Sequence, residues 1–186
     1  PGGSSGHVAV HGTINDLAVS GARPQWLSAA FVIEEGFPID ELREIVADMS
    51  EAAAKAGVKI VTGDTKVVGK GAADGVYIST AGVGVIPEGR RLSRDLVKPG
   101  DKVLVSGTIG EYGMAVMLAR GDLAIDADIA SDTAPVHELV ELLLRRLHTI
   151  PALRVVLLLA GEAWAPPEET VHREERVSNP TEADIE

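Results

Sequence analysis

Two short stretches carry residue types suited to chemistry: Asn15-Asp16, and Thr62-Gly63-Asp64-Thr65-Lys66. An ionised carboxylate at a strand end, flanked by hydroxyls, can face a cation. Mg²⁺ prefers hard oxygen ligands and keeps several waters, so one or two such carboxylates plus phosphate oxygens suffice. Asp16 and Asp64 converging on a phosphate chain would hold a Mg²⁺–nucleotide, with Lys66 adding a point charge to a phosphate. A plainer reading fits the same residues. Asp64 and Thr65 then close a tight turn, and the two acids are surface groups that never meet. Spacing alone leaves both readings open.

The elements that must position these groups are legible in the apolar pattern. Residues 58–68 read as a short apolar strand, a turn at 62–65 and a second β-branched strand, with Gly63 giving the turn its freedom. Before them, Val10, Ile14, Leu17 and Ala18 recur at helical spacing between His7 and Gly21, and Gly21 and Pro24 end that helix. Residues 1–6 are Gly/Ser-rich and read as loose. Residues 25–33 read as a strand, and Glu34-Glu35 as a solvated pair at its end or a family-specific loop feature. The clearest helix spans 40–56, capped by Asp40, with Leu42, Ile45, Val46, Met49, Ala53 and Ala56 on one face. Glu51 and Lys55 pair on its outside. Residues 76–86 form a strand whose Gly82 and Gly84 weaken it or admit a close neighbour.

Residues 87–100, with two prolines and two glycines, mark a domain boundary. A strand at 101–106 then runs into Gly107-Thr108-Ile109-Gly110 and a helix over 111–120. That turn suits a phosphate cradle or simply strand-to-helix geometry. Thr133 and Pro135 open another helix, with Val136, Leu139, Val140, Leu143, Leu144 and Leu147 on its buried side. The apolar run 153–160 reads as a strand or a helix end. From Gly161 onward eight acidic residues face two arginines, over half of the net charge, and the segment reads as a solvated, disordered tail.

Composition narrows the class. With 186 residues, 45% hydrophobic and 24% charged, the chain has enough apolar content for a core. Aromatics at 3% point to an α/β core of Val, Ile, Leu and Ala rather than a base-stacking platform, and Trp26 and Trp164 are too few to build one. A net charge of −11 with no basic stripe disfavours nucleic acid. With no cysteine, neither a disulfide, a Cys-containing zinc site nor a thiol nucleophile can form within this sequence. No apolar run approaches a membrane span, and the first residues do not read as a signal peptide, so a cytoplasmic location is expected. His11 and His137 read as helix-surface residues rather than metal ligands.

The stretches VHGTINDLAVSGARPQWLSAAFVIEEGFP, VTGDTKVV, TAGVGVIP and PGDKVLVSGTIGEYGMAVML, in this order, resemble the HypE family of [NiFe]-hydrogenase maturation proteins. Asn-Asp-Leu followed by Gly-Ala-x-Pro, and the Gly-Asp-Thr segment, also resemble the wider aminoimidazole ribonucleotide (AIR) synthetase-like superfamily. The match covers about residues 7–150. It implies an α/β (α+β) fold: a PurM/AIR synthetase-like sheet-plus-helices domain over 1–90, the start of a second α/β domain over 91–150, and a divergent tail over 151–186. It further implies ATP with Mg²⁺ at the first domain, with Asp16 and Asp64 as metal ligands and Asn15, Gly63, Thr65 and Lys66 beside the nucleotide. The family's reaction is the ATP-dependent dehydration of a carboxamide on a protein's C-terminal cysteine to a nitrile. That nitrile supplies cyanide to the hydrogenase iron. Implied partners are a second copy through the sheet, a HypF-type carbamoyltransferase and a HypC–HypD scaffold.

The sequence departs from the family pattern in three places. The strands with the Thr-Thr-Asp segment are missing, the resemblance stops near Ile150, and no terminal cysteine is present to carry the carboxamide. The expectation is therefore a truncated or disrupted copy, inactive alone, whose tail comes from a shifted reading frame or a fusion. Two alternatives stand beside it: a non-catalytic remnant that dimerises or docks on maturation partners, and a small-molecule kinase or synthetase of the same superfamily.

Overall fold

A computed structural model describes residues 4–105, 110–120, 133–147 and 155–158. The chain runs α1 (Ser5–Val19), β1 (Arg23–Glu34), α2 (Ile39–Lys55), β2 (Lys59–Val68), β3 (Val76–Val85), a 3₁₀ turn (Arg94–Leu96), β4 (Lys102–Val105), α3 (Glu111–Arg120), α4 (His137–Leu147) and β5 (Val155–Leu158). The mixed helix-and-sheet architecture is the α/β class expected.

The first sheet has the order β2-β1-β3. β2 lies parallel to β1, a pairing that needs the α2 crossover, and β3 lies antiparallel. Pro24, which has no N–H to give, sits where the β1–β3 register shifts. α1 and α2 cover one face. Val10 and Ile14 of α1, Leu27 and Ala29 of β1, and Met49, Ala52 and Ala53 of α2 form the core with Val58. The second sheet pairs β4 with β5 in parallel, so the 153–160 run does contain a strand.

Several local expectations change. α1 begins earlier than the loose start implied, because the Ser4 side chain accepts from the Gly6 N–H and caps it. α2 is preceded by Pro38 without a side-chain cap, and Asp40 instead pairs with Arg43 at 2.8 Å inside the first turn. Val46 is exposed, while Ala52 takes its place in the buried seam beside Met49 and Ala53. The expected Glu51–Lys55 pair is present at 2.5 Å.

The largest change concerns residues 58–68. Residues 59–68 form one strand rather than two strands about a turn, with a register shift against β1 at Val61. Gly63 has no positive φ. Its value is space: a Cβ there would collide with the Ala29 carbonyl oxygen across the β1–β2 pair. The reversal comes later, at 69–75, where Gly71 and Gly75 have positive φ. Glu34, expected to be solvated, anchors that turn by accepting from the Gly71 N–H at 2.5 Å and the Gly75 N–H at 3.2 Å. Those two donors hold its carboxyl below the usual carboxylate range.

Gly82 admits a close neighbour, as the sequence suggested. A Cβ there would press on the side chains of Leu17, Thr13 and Leu27, so α1 settles directly on β3. The contact is fixed by Thr13 Oγ1 and Thr80 Oγ1 at 2.6 Å, and Thr80 also donates to the Ala9 carbonyl.

Candidate functional site

Strand alternation decides which side each predicted ligand faces. Ala29 and Phe31 of β1 pack with the helix-side core, and their register partners in β2 are Gly63 and Thr65. Asp64 pairs with Ala30, and Lys66 with Val32, so both belong to the uncovered face. Across β3 the rows continue as Asp64–Ala30–Ser79, Thr62–Ser28–Ala81 and Lys66–Val32–Tyr77. Asp64 thus overlooks a floor of small side chains, with Lys66 and Tyr77 at one end and Trp26 and Val83 at the other.

The Asp64 carboxylate is partly oriented by its own strand. Oδ1 accepts from the Thr65 N–H at 2.8 Å, and among the described residues no protein group is bonded to Oδ2. A hard, exposed carboxylate oxygen beside a lysine matches the donor chemistry of a Mg²⁺–phosphate contact. The residues present fit that group.

Asp16 and Asn15 lie elsewhere. Both are on α1, in the helix layer that packs against α2, β1, β3 and α4. Asp16 is exposed. Asp64 faces the other side of the sheet, so within one chain the two carboxylates are not brought to one point. Both polar ends of the Asn15 amide are engaged: Nδ2 donates to the Ala134 carbonyl at 3.0 Å, and Oδ1 accepts from the Val136 N–H at 2.9 Å. Asn15 therefore joins α1 to the start of α4. The Gly107–Gly110 turn falls largely outside the described residues; Gly110, at its end, has φ +95°.

Sequence reasoning missed two features. The first is an ion-pair centre that seats α4. Glu141 accepts from Arg90 at 2.8 and 3.1 Å, from Arg23 at 2.6 Å and from Arg145 at 3.3 Å. These arginines, Arg90 foremost, pull its carboxyl down to about 2. Arg90 lies 51 residues away in the chain, and nothing in local pattern pairs it with Glu141.

The second is histidine burial. His11, expected at the surface, is 7% exposed, and among the described residues neither of its ring nitrogens has a hydrogen-bond partner. His137 is half-buried with an unpartnered Nδ1. His7, four residues before His11 and so on the same helix face, stacks on it at 5.8 Å between ring centres. That i,i+4 spacing was the available signal.

Among the described residues no helix is long and apolar enough to cross a membrane. Comparison with known proteins matches residues 1–86 to the family profile "AIR synthase related protein, N-terminal domain". The chain is 57% identical over 140 residues to the carbamoyl dehydratase HypE of Rhodobacter capsulatus, covering 75% of this chain and 41% of that protein. Among solved structures it is similar to a chain in the crystal structure of a HypE–HypF complex, with TM-score 0.75, 55% identity, and 78% and 48% of the two chains covered. It is also similar to a hydrogenase maturation protein HypE solved in complex with ATP, with TM-score 0.63, 43% identity, and 77% and 43% covered. The chain thus spans a little under half the length of the relatives it matches.

Proposed function

The chain belongs to the AIR synthase-related family, in its HypE branch, and from that premise we propose that it is the nucleotide-binding part of a HypE-type carbamoyl dehydratase. The whole reaction is the ATP-dependent dehydration of a protein C-terminal thiocarboxamide to a thiocyanate. The carboxamide oxygen leaves with the phosphate drawn from ATP, the C–N bond becomes a nitrile, and the product supplies cyanide to [NiFe]-hydrogenase iron. The observation that supports this reading most directly is Asp64, a hard carboxylate beside Lys66 on the uncovered face of a HypE-like sheet.

In this reading Asp64 and Lys66 take the Mg²⁺–phosphate end of ATP, with Gly63 and Thr65 setting the strand that presents them. Asp16 makes a separate metal contact from the helix layer, next to Asn15. Bound ATP supplies the phosphoryl group. The chain positions its phosphates and balances their charge, which is where protein catalysis of phosphoryl transfer resides. The cysteine that carries the carboxamide lies outside this sequence. A HypF-type carbamoyltransferase loads it, a HypC–HypD scaffold receives the cyanide, and the cytoplasm is the place of action.

A second reading keeps assembly without catalysis, and one observation favours it. Trp26, Val61, Tyr77, Val83 and Val85 are about half exposed or more along the first sheet. An uncovered apolar sheet face suits a second copy of this chain, giving a homodimer through the sheet. Calorimetric titration with Mg·ATP separates the readings. One equivalent bound supports the nucleotide site, whereas no binding to a folded chain leaves only the assembly role.

A further inference from the structure

The crossing of α1 and α2 brings together three groups that the nucleotide site does not use. At Gly6 the helices touch backbone to backbone. A Cβ there would overlap the Ile45 carbonyl oxygen and lie 3.0 Å from Asp48 Cβ and from the Met49 nitrogen. This approach sets His7 of α1 against Asp48 and Glu51 of α2. One ligand atom from each of the three lies within 4.8 Å of the other two. His7 nevertheless forms neither a hydrogen bond nor an ion pair with either acid. A gap of that size, closed by no direct bond, is what a single cation with bonds of about 2.1 Å fills.

We propose that His7, Asp48 and Glu51 form a binding site for a borderline divalent cation of the Zn²⁺ class, separate from the Mg²⁺–nucleotide site. An imidazole among the donors selects for Zn²⁺, Co²⁺ or Ni²⁺ over Mg²⁺, which favours all-oxygen sites. His11 adjoins the cluster. It stacks one turn along on His7, is buried, and among the described residues has two unpartnered ring nitrogens. Solvent supplies the remaining ligands, since the donor atoms that converge are those of His7, Asp48 and Glu51. Lys55 takes Oε1 of Glu51 at 2.5 Å, leaving the other carboxylate oxygen for the ion.

The test is Zn²⁺ titration by calorimetry, and Co²⁺ titration followed by visible absorption, on the full chain with millimolar-range Mg²⁺ present throughout. One equivalent should bind with four- or five-coordinate Co²⁺ bands. Affinity should fall by about tenfold or more in His7→Gln and in Asp48→Asn/Glu51→Gln. A His148→Ala/His172→Ala variant should bind as the parent does. Far-UV circular dichroism shows that each variant is folded. Absence of one bound equivalent in the parent, unchanged affinity in both site variants, or loss confined to the His148/His172 variant would each overturn the proposal. None of these outcomes depends on ATP binding, so the nucleotide reading stands or falls separately.

Discussion

Arg90 and Glu141 form a two-point ion pair, with Nη1 2.8 Å from Oε2 and Nη2 3.1 Å from Oε1. Arg90 also donates to the Gly21 carbonyl, so one guanidinium ties the end of α1 to α4. Of the three arginines on Glu141, Arg90 is the most shielded, at 11% side-chain exposure against 52% for Arg23 and 71% for Arg145. Solvent screening leaves the two exposed partners little weight. Arg90→Ala should therefore weaken α4 docking by about 1–3 kcal/mol, and Arg145→Ala by far less. Hydrogen exchange over residues 137–147 reads both.

The same carboxyl sets an acid limit. Its folded value of about 2 lies below the ordinary 4.5. Stability from this pair is complete above 4.5 and drains away as pH falls from there toward 2. A pH titration of α4 exchange rates should show that loss in the parent chain and lose most of it in Glu141→Gln. An identical acid profile in the two proteins would refute the assignment.

Asn15 works as a cap supplied from outside the helix that it caps. Asn15→Ala removes both bonds to the 134–136 segment and should cost about 0.5–2 kcal/mol. Asn15→Asp keeps the acceptor for the Val136 N–H but not the donor to Ala134, so its loss should be smaller. Thermal melts of the two variants give the order.

Gly63 is required by crowding, and Gly69 is not. Gly63→Ala drives a methyl into the Ala29 carbonyl and should destabilise by about 1–3 kcal/mol. At Gly69 a Cβ meets nothing within 4 Å, and its φ is not positive, so Gly69→Ala should be neutral or slightly stabilising. Denaturant midpoints distinguish the two. Equal effects would mean that the β1–β2 contact is not the reason for the glycine.

Asp64→Asn should weaken Mg·ATP binding by about 1–3 kcal/mol through loss of a charged contact, while the fold is kept because the side chain is exposed. Asp16→Asn should do so independently. Since the two acids occupy different layers, their effects should add in the double variant. Unchanged binding in both single variants would remove the metal assignment.

The residues themselves determined the class and, apart from the single strand over 59–68, the order of elements up to residue 86. The 3.6-residue apolar repeat of α2, the alternation in β3 and the Gly-flanked helix ends are local features, and local physics suffices for them. Asp64 and Lys66 were also identifiable as chemically apt from their types alone. Tertiary structure decided everything that depends on who meets whom. Gly63 sits inside a strand where its neighbour's backbone leaves no room for a Cβ. Asn15 and Glu141 find partners more than 50 residues away, and His11 is buried within the packed fold. Which carboxylates share a face was likewise settled by strand register, since a shift of one residue turns every side chain to the opposite side.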